Sequence, residues 1–211
     1  MKRMPVLLMV SMAAVGCVVE DSSDTDQPQS QQTAPAPPPT TMPAPPPVDS
    51  LSGLHFVVDI SDRKLYVLRG QDTVRTESVA VGMEDHPTPT GDWRIHRVDW
   101  NPDWTPPPGQ DWTEDKEPQP PGAPANPMGR ARLVFQMPYT IHGTKENASL
   151  GKAVSHGSIR VANTAVVELG RMLMEAAGAQ KPETFYQEVA NNRKEMRQVD
   201  LPNPVPIKVQ T

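Results

Sequence analysis

Apolar and polar residues alternate with a period of two in several short runs along the middle of the chain. The runs cover residues 55–60, 64–68, 74–81, 92–98, 132–136 and 139–142. Such alternation is typical of half-buried β-strands. The first two runs are separated only by Ser61-Asp62-Arg63, a short polar connection that predicts a hairpin. The central part of the chain is therefore predicted to be a series of sheet strands.

A different periodicity appears towards the C-terminus. Apolar residues recur there on one face of a predicted helix: Val166, Leu169, Leu173 and Ala176. Asn163 is the predicted N-cap of this helix and Gly178 its stop. A second, more polar helix is predicted over 182–198, and residues 205–209 are predicted to return as a last, edge strand. These elements indicate a mainly β domain with one or two covering helices.

The N-terminal segment, residues 1–17, has the pattern of an export signal. Two basic residues precede an apolar run, 4–15, that is too short to span a bilayer as a mature helix. Small residues then lead into Cys17 as in a lipobox, which makes Cys17 the predicted lipid-attachment site; a buried structural cysteine is the alternative. Val18 rather than aspartate follows, which favours the outer membrane, facing the periplasm. Cys17 is the only cysteine, which excludes an internal disulfide.

The composition changes after the export signal. Residues 18–50 are rich in Asp, Ser, Gln, Thr and Pro, with too little apolar surface to offset the entropy of ordering, which predicts a disordered tether. Residues 51–211 are long enough for one domain with a sizeable core. The formal net charge is −5 at pH 7, and lysines and arginines form no block. The charge pattern therefore argues against nucleic-acid binding.

A proline-rich stretch, 101–126, separates two groups of predicted strands. It contains Trp104, Trp112 and a small acidic cluster at 114–117. One interpretation is a rigid surface loop packed by its own tryptophans. The other is a lid over a substrate groove.

Two short segments carry the candidate chemistry. One is His142-Gly143-Thr144, and the other reads Ser-His-Gly-Ser-Ile-Arg and ends at Arg160. The second serine of that segment, Ser158, lies 16 residues after His142. Acyl transfer needs a nucleophile, a base and donors for the oxyanion, and a hydroxyl on a glycine-flanked turn near imidazoles provides such groups.

These segments resemble the signature of the L,D-transpeptidase (YkuD-type) family, His-Gly-Thr followed by Gly-x-x-x-Ser-His-Gly-Cys-Ile-Arg. The resemblance extends over about 55–167, and Ser158 stands where the family has its catalytic cysteine. It implies a sandwich of mixed sheets in the bacterial cell envelope that acts on peptidoglycan stem tetrapeptides. The terminal D-alanine would be replaced by an amine, giving a cross-link, or by water, giving a trimmed stem. No metal or organic cofactor is implied.

The resemblance also assigns roles to residues of the two segments. Ser158 is the expected nucleophile and His142 the expected base, since a serine hydroxyl needs a base acting in the transition state. The expected pocket and oxyanion residues are Ser155, His156, Gly157 and Gly143. The residues expected to bind the substrate are Arg160 and Thr144. Arg160 either neutralises a carboxylate of the stem or braces the turn.

Two other interpretations stay open from the residues alone. A zinc site built from His142, His156 and His86 lacks the helical His-x-x-x-His spacing and any cysteine ligand. A wall-binding lipoprotein that keeps the groove but has lost turnover is the competing hypothesis, because Ser158 is a poorer nucleophile than cysteine at neutral pH.

Overall fold

The computed structural model describes residues 53–211. The predicted export signal 1–17, the tether 18–50 and the predicted lipid-attachment site Cys17 lie outside the described residues. Neither helix within the described range has the length and apolar character needed to cross a bilayer.

Ten strands and two helices make up this part of the chain. The strands are β1 (Leu54–Asp59), β2 (Lys64–Arg69), β3 (Asp72–Ser78), β4 (Val81–Gly82), β5 (Gly91–Trp100), β6 (Ala131–Gln136), β7 (Tyr139–Thr144), β8 (Ala153–Ser155), β9 (Ile159–Ala162) and β10 (Arg197–Gln210). The helices are α1 (Asn163–Ala176) and α2 (Glu183–Asn191). A mainly β domain with two helices is therefore confirmed.

The strands form a large mixed sheet and a small parallel one. The eight-stranded sheet has the order β3-β2-β1-β10-β5-β6-β7-β9, and β4 pairs with β8. In the large sheet β1 runs parallel to β10 and β7 parallel to β9, whereas the other neighbours are antiparallel. Just beyond β3, Ala80 exchanges two backbone hydrogen bonds of 2.9 Å with Arg160 of β9. The sheet therefore curls until the chain following one edge strand reaches the other.

Alternation along the strands builds the core. In β1, Leu54, Phe56 and Val58 are buried while the intervening side chains are partly exposed, as the period of two predicts. Helix α1 covers the sheet with Leu169 and Leu173, both fully buried. A Cβ on Gly170 would lie 3.1 Å from the Trp100 ring, so glycine lets α1 pack closely on β5.

Two predicted boundaries of the helices are wrong. Ala162, not Asn163, occupies the N-cap position of α1, because the Asn163 side chain instead accepts a hydrogen bond from the Arg130 backbone N–H at 2.9 Å. Helix α2 covers Glu183–Asn191, short of the predicted 182–198. The chain beyond it joins β10, where Arg197 pairs with Trp100 of β5.

The prediction of an edge position for the last strand is also wrong. Strand β10 lies between β1 and β5, in the middle of the sheet. Its several prolines suggest an edge because proline has no N–H for the ladder. The structure accommodates Pro202 and Pro204 where the register with β5 shifts, between Asp200 and Val205, and pairing with β1 covers only Phe56–Asp59 against Ile207–Gln210.

Candidate active site

The parallel pair β7 and β9 brings the two sequence segments together. Ile141 is in register with Ile159, and His142 with Arg160. Both isoleucines are fully buried in the core. Because side chains alternate across a strand, His142, Ser158 and Arg160 belong to the opposite face. All three line one cavity of about 400 Å³.

Ser158 sits directly after a glycine turn. Gly157 has φ +98°, and a Cβ at this position would lie 2.5 Å from the Tyr139 ring, so the turn needs glycine. The buried Ser155 hydroxyl donates to the Ser158 carbonyl at 2.5 Å, which closes the turn. The Ser158 Oγ itself accepts a hydrogen bond from the Thr140 backbone N–H at 3.3 Å. The Ser158 hydroxyl proton is thereby left free for a base.

His142 is held as a neutral imidazole. Its side chain is almost completely buried, and Nδ1 lies 2.9 Å from the Gly143 carbonyl oxygen. A nitrogen facing a carbonyl carries the proton, so Nε2 is the unprotonated acceptor. Burial lowers the pKa of His142 from 6.5 to about 4; the Gly143 carbonyl opposes this shift, and the charges of Arg160 and Arg132 add to it. At neutral pH the imidazole is therefore available as a base.

His156 lines the cavity and belongs to a stack of rings. Trp112 stacks on it with ring centroids 3.9 Å apart, and His86 lies 4.9 Å away on a tilted plane. Lys116 Nζ lies 4.9 Å from the Trp112 centroid. Burial, with the nearby charges of His86, Lys116 and Arg160, lowers the pKa of His156. This histidine thus joins the signature turn to the proline-rich loop.

The other predicted site residues, Arg160, Thr144 and Gly143, lie around His142 and Ser158. Arg160 Nη1 is 3.1 Å from the exposed Glu146 carboxylate, and Thr144 Oγ1 accepts the Glu146 backbone N–H at 3.0 Å. Thr144 lines a neighbouring cavity of about 120 Å³, which Arg160 also lines. A Cβ on Gly143 would lie 2.4 Å from Asn163 Oδ1, so Gly143 packs against the start of α1. Gly143 is not a lining residue of the main cavity.

Arg132 is a site residue that the sequence analysis missed. It is the cross-strand partner of His142 on β6 and lines the cavity. Its guanidinium is 2.8 Å from the fully buried carboxylate of Asp99, which Arg97 also contacts at 2.7 Å. A buried charge requires such a partner. The available signal was a lone arginine within the apolar run of β6.

The proline-rich loop forms one wall of the cavity. The part of the loop between Asn101 and Arg130 supplies Trp104, Thr105, Pro106, Pro107, Pro108, Trp112, Lys116, Pro127 and Met128. Trp104 pairs with Gln119 through two backbone hydrogen bonds of 2.9 and 2.7 Å. The loop therefore faces the signature turn, as the lid interpretation requires.

The charges around the cavity have one sign. Lys116, Arg132 and Arg160 line it, and no aspartate or glutamate is among its lining residues in the described part of the chain. Within residues 53–211, no group of three or more His, Cys, Asp or Glu side chains is placed to hold a metal ion. The cavity thus combines aromatic and proline surfaces with three cationic side chains, of which Arg132 is paired with the buried Asp99 and Arg160 with the exposed Glu146.

The sequence of the described domain matches a known class of catalytic domain. The family described as the L,D-transpeptidase catalytic domain (YkuD) matches residues 54–194. The chain belongs to this family.

Several curated relatives and solved structures are similar to the chain. It is 33% identical over 115 residues to the probable L,D-transpeptidase YbiS of Escherichia coli, covering 51% of this chain and 37% of that protein. It is 31% identical over 120 residues to the putative L,D-transpeptidase YkuD of Bacillus subtilis, covering 56% and 60% respectively. An L,D-transpeptidase from Mycobacterium smegmatis aligns with a TM-score of 0.45 at 16% identity, covering 76% of this chain and 59% of that one. The matched segment thus spans less than two thirds of each of these relatives.

Proposed function

We propose that the protein is a peptidoglycan L,D-transpeptidase in which Ser158 is the nucleophile and His142 the general base. The observation that carries this proposal is the state of His142. Its Nδ1 is committed to the Gly143 carbonyl and its pKa is lowered to about 4. Nε2 is then the free acceptor on the face that also presents Ser158.

In the acylation step, His142 Nε2 takes the proton of Ser158 as Oγ attacks the stem carbonyl that precedes the terminal D-alanine. The carbonyl oxygen becomes an oxyanion, and we expect the backbone N–H groups of Gly157 and Ser158 in the turn to donate to it. Collapse breaks the amide bond, and His142 returns the proton to the leaving amine of D-alanine. The product is an ester between Ser158 and the stem.

In the second step, an amine of another stem or of an attached protein attacks the ester. His142 accepts the amine proton and returns it to Ser158 Oγ as the ester bond breaks. A new amide, the cross-link, is formed. With water as the acceptor the same sequence yields a trimmed stem.

The serine suits the neutral histidine. A cysteine enzyme benefits from a resting thiolate and imidazolium pair, whereas a serine hydroxyl is deprotonated only as it attacks. The lowered pKa of His142 disfavours a resting imidazolium and favours deprotonation of the serine hydroxyl during its attack. Lys116 and Arg160, whose partner Glu146 is exposed, support the substrate class, because peptidoglycan stems carry several carboxylates.

Incubation with purified muropeptides tests the proposal. We expect loss of D-alanine and formation of dimers by the wild type, detected by mass spectrometry, and neither product from Ser158→Ala. The His142→Ala variant should lose about 10²–10⁴-fold in rate, the usual contribution of a general base.

The competing hypothesis, a wall-binding protein without turnover, predicts a different outcome. Wild type and Ser158→Ala would then bind muropeptides equally and neither would release D-alanine. Ser158→Cys serves as the positive control of the groove, since a thiol gives up its proton to the neutral His142 more readily than a hydroxyl does, and it should therefore support transpeptidation and react with carbapenems. A folded Ser158→Cys variant inert to both would overturn the assignment of the site.

We also propose that residues 51–211 form the catalytic domain and that acylated Cys17 anchors it to the outer membrane on the periplasmic side. Supporting features are the basic residues, the apolar run and the small residues before Cys17. Several acyl chains on one residue give stable anchoring.

A further inference from the structure

Helix α2 lies beside both ends of the proline-rich loop. We call residues 102–129, which extend three residues beyond the proline-rich stretch 101–126, the strap. Asn101 directly precedes the strap and Arg130 directly follows it, and the Asn101 backbone N–H donates to the Arg130 carbonyl at 2.8 Å. The strap is thus a closed loop whose two ends meet at one point.

The end of α2 occupies this meeting point. The buried Asn101 side-chain amide donates to the carbonyls of Val189 at 2.8 Å and Asn192 at 3.1 Å. Arg130 Nη2 lies 3.4 Å from the carbonyls of Val189 and Ala190. The last carbonyls of a helix have no partner within the helix and carry partial negative charge. The two residues that flank the strap, Asn101 and Arg130, therefore donate to the carbonyl groups at the C-terminus of α2.

The backbone at Asn101 is shaped for this contact. Its φ is +46°, in the left-handed region that asparagine tolerates better than most residues. The preceding residue, Trp100, packs edge-on against Tyr186 of α2, with ring centroids 5.7 Å apart. Further along the strap, a Cβ on Gly122 would lie 2.6 Å from the carbonyl of Arg193, just beyond α2.

The strap is braced internally, so that a displacement of its ends reaches the cavity wall. Besides the pairing of Trp104 with Gln119, the buried Asn126 amide donates to the Pro102 carbonyl at 2.9 Å and to the Pro120 carbonyl at 3.0 Å. Trp104 and other wall residues are carried on this braced unit.

We propose that α2 is an anchor for the strap and that Asn101 is a positioning residue, which holds the wall of the cavity in place for substrate binding. The expected effect of Asn101 on substrate binding rests on the proposed function. The expected effect of Asn101 on the amide exchange of the strap does not. It also gives a role to a helix for which the sequence offered none.

Hydrogen–deuterium exchange of the wild type and Asn101→Asp tests the anchor without substrate. The change removes both donors and places an acceptor against two carbonyls. We expect exchange of strap amides, such as those of Trp104 and Gln119, to become about 10- to 100-fold faster, as loss of two hydrogen bonds implies. Exchange in β1 and β2 should stay unchanged. Asn101→Gly, which keeps the positive φ, provides a second variant with the amide removed.

The matched control is Glu183→Gln, which breaks the ion pair between Arg171 and Glu183 at the other end of α2. We expect this control to leave strap exchange unchanged. With muropeptides, Asn101→Asp should raise KM about 5- to 30-fold and change kcat less than 2-fold, because the wall binds the substrate and takes no part in the chemistry.

Unchanged strap exchange in both folded Asn101 variants would overturn the anchor. Faster exchange throughout the domain, or equal effects from Glu183→Gln, would overturn it as well, because either result would indicate general destabilisation. A wild type without turnover would contradict the proposed function and leave the exchange result to decide the anchor. A fall in kcat at constant KM would contradict the positioning role.

Discussion

Acid should destabilise the domain through His142. This imidazole is only 4% exposed, and its pKa falls from 6.5 to about 4 on folding. Between these two values the unfolded chain binds more protons than the folded one, so stability rises with pH there. The full contribution is present above pH 6.5 and is lost as the pH falls towards 4. The loss amounts to about 2–3 kcal/mol at pH 4.5, since each pKa unit corresponds to about 1.4 kcal/mol.

The perturbation that isolates this effect is His142→Asn. Asparagine cannot be protonated, and its amide can still donate to the Gly143 carbonyl. We expect the free energy of unfolding in urea to fall by about 2–3 kcal/mol more in the wild type than in the variant between pH 7.5 and pH 4.5. Other titrating groups, including His156, are present in both proteins and cancel in this difference. His96→Asn, at an exposed position of β5, is the control and should keep the wild-type pH dependence.

The pH dependence of turnover gives a second readout of the same group. The acid limb of kcat/KM reports the free enzyme's essential base, and we expect it near pH 4 rather than near pH 6.5. Equal losses of stability in wild type and His142→Asn, or an acid limb at pH 6.5, would refute the account of a buried neutral base.

Three further changes have defined expectations. Gly157→Ala places a side chain at a φ of +98° and against the Tyr139 ring. The variant should lose at least about 1–2 kcal/mol in the free energy of unfolding in urea and more than about 10-fold in kcat/KM. Wild-type values for both quantities would contradict the requirement for glycine in the turn. Trp112→Ala removes the ring stacked on His156 and should raise KM several-fold with little change in urea stability, whereas an unchanged KM would exclude Trp112 from substrate binding. Cys17→Ala should release the intact domain from membranes in fractionation, and a wild type found wholly in the soluble fraction with Cys17 unmodified would contradict the anchor.

Local patterns in the sequence were sufficient to predict most of the strands and to single out the two candidate segments, 142–144 and 155–160. The hairpin of β1 and β2 and the strands β6 and β7 follow from a period of two, which depends only on neighbours along the chain. The motif order His142 to Ser158 sufficed to select a nucleophile and a base for the proposal. The predictions for the N-cap of α1, the length of α2 and the position of β10 were wrong, because each feature depends on a partner that is distant in sequence. These partners are Arg130, Trp100 and β1, respectively.

Only the tertiary structure decided the surroundings of the proposed chemistry. The sequence places Arg132 and His142 on separate strands, but the register of β6 and β7 makes them neighbours, and the burial that lowers the pKa of His142 exists only in the packed domain. The alternation of apolar and polar residues predicts which residues of a strand share a face, whereas strand order and register depend on side-chain packing between distant segments. The same holds for the strap, whose proline-rich sequence was compatible with either a surface loop or a lid. Its contacts with His156 and with the end of α2 join parts of the chain that no local pattern relates.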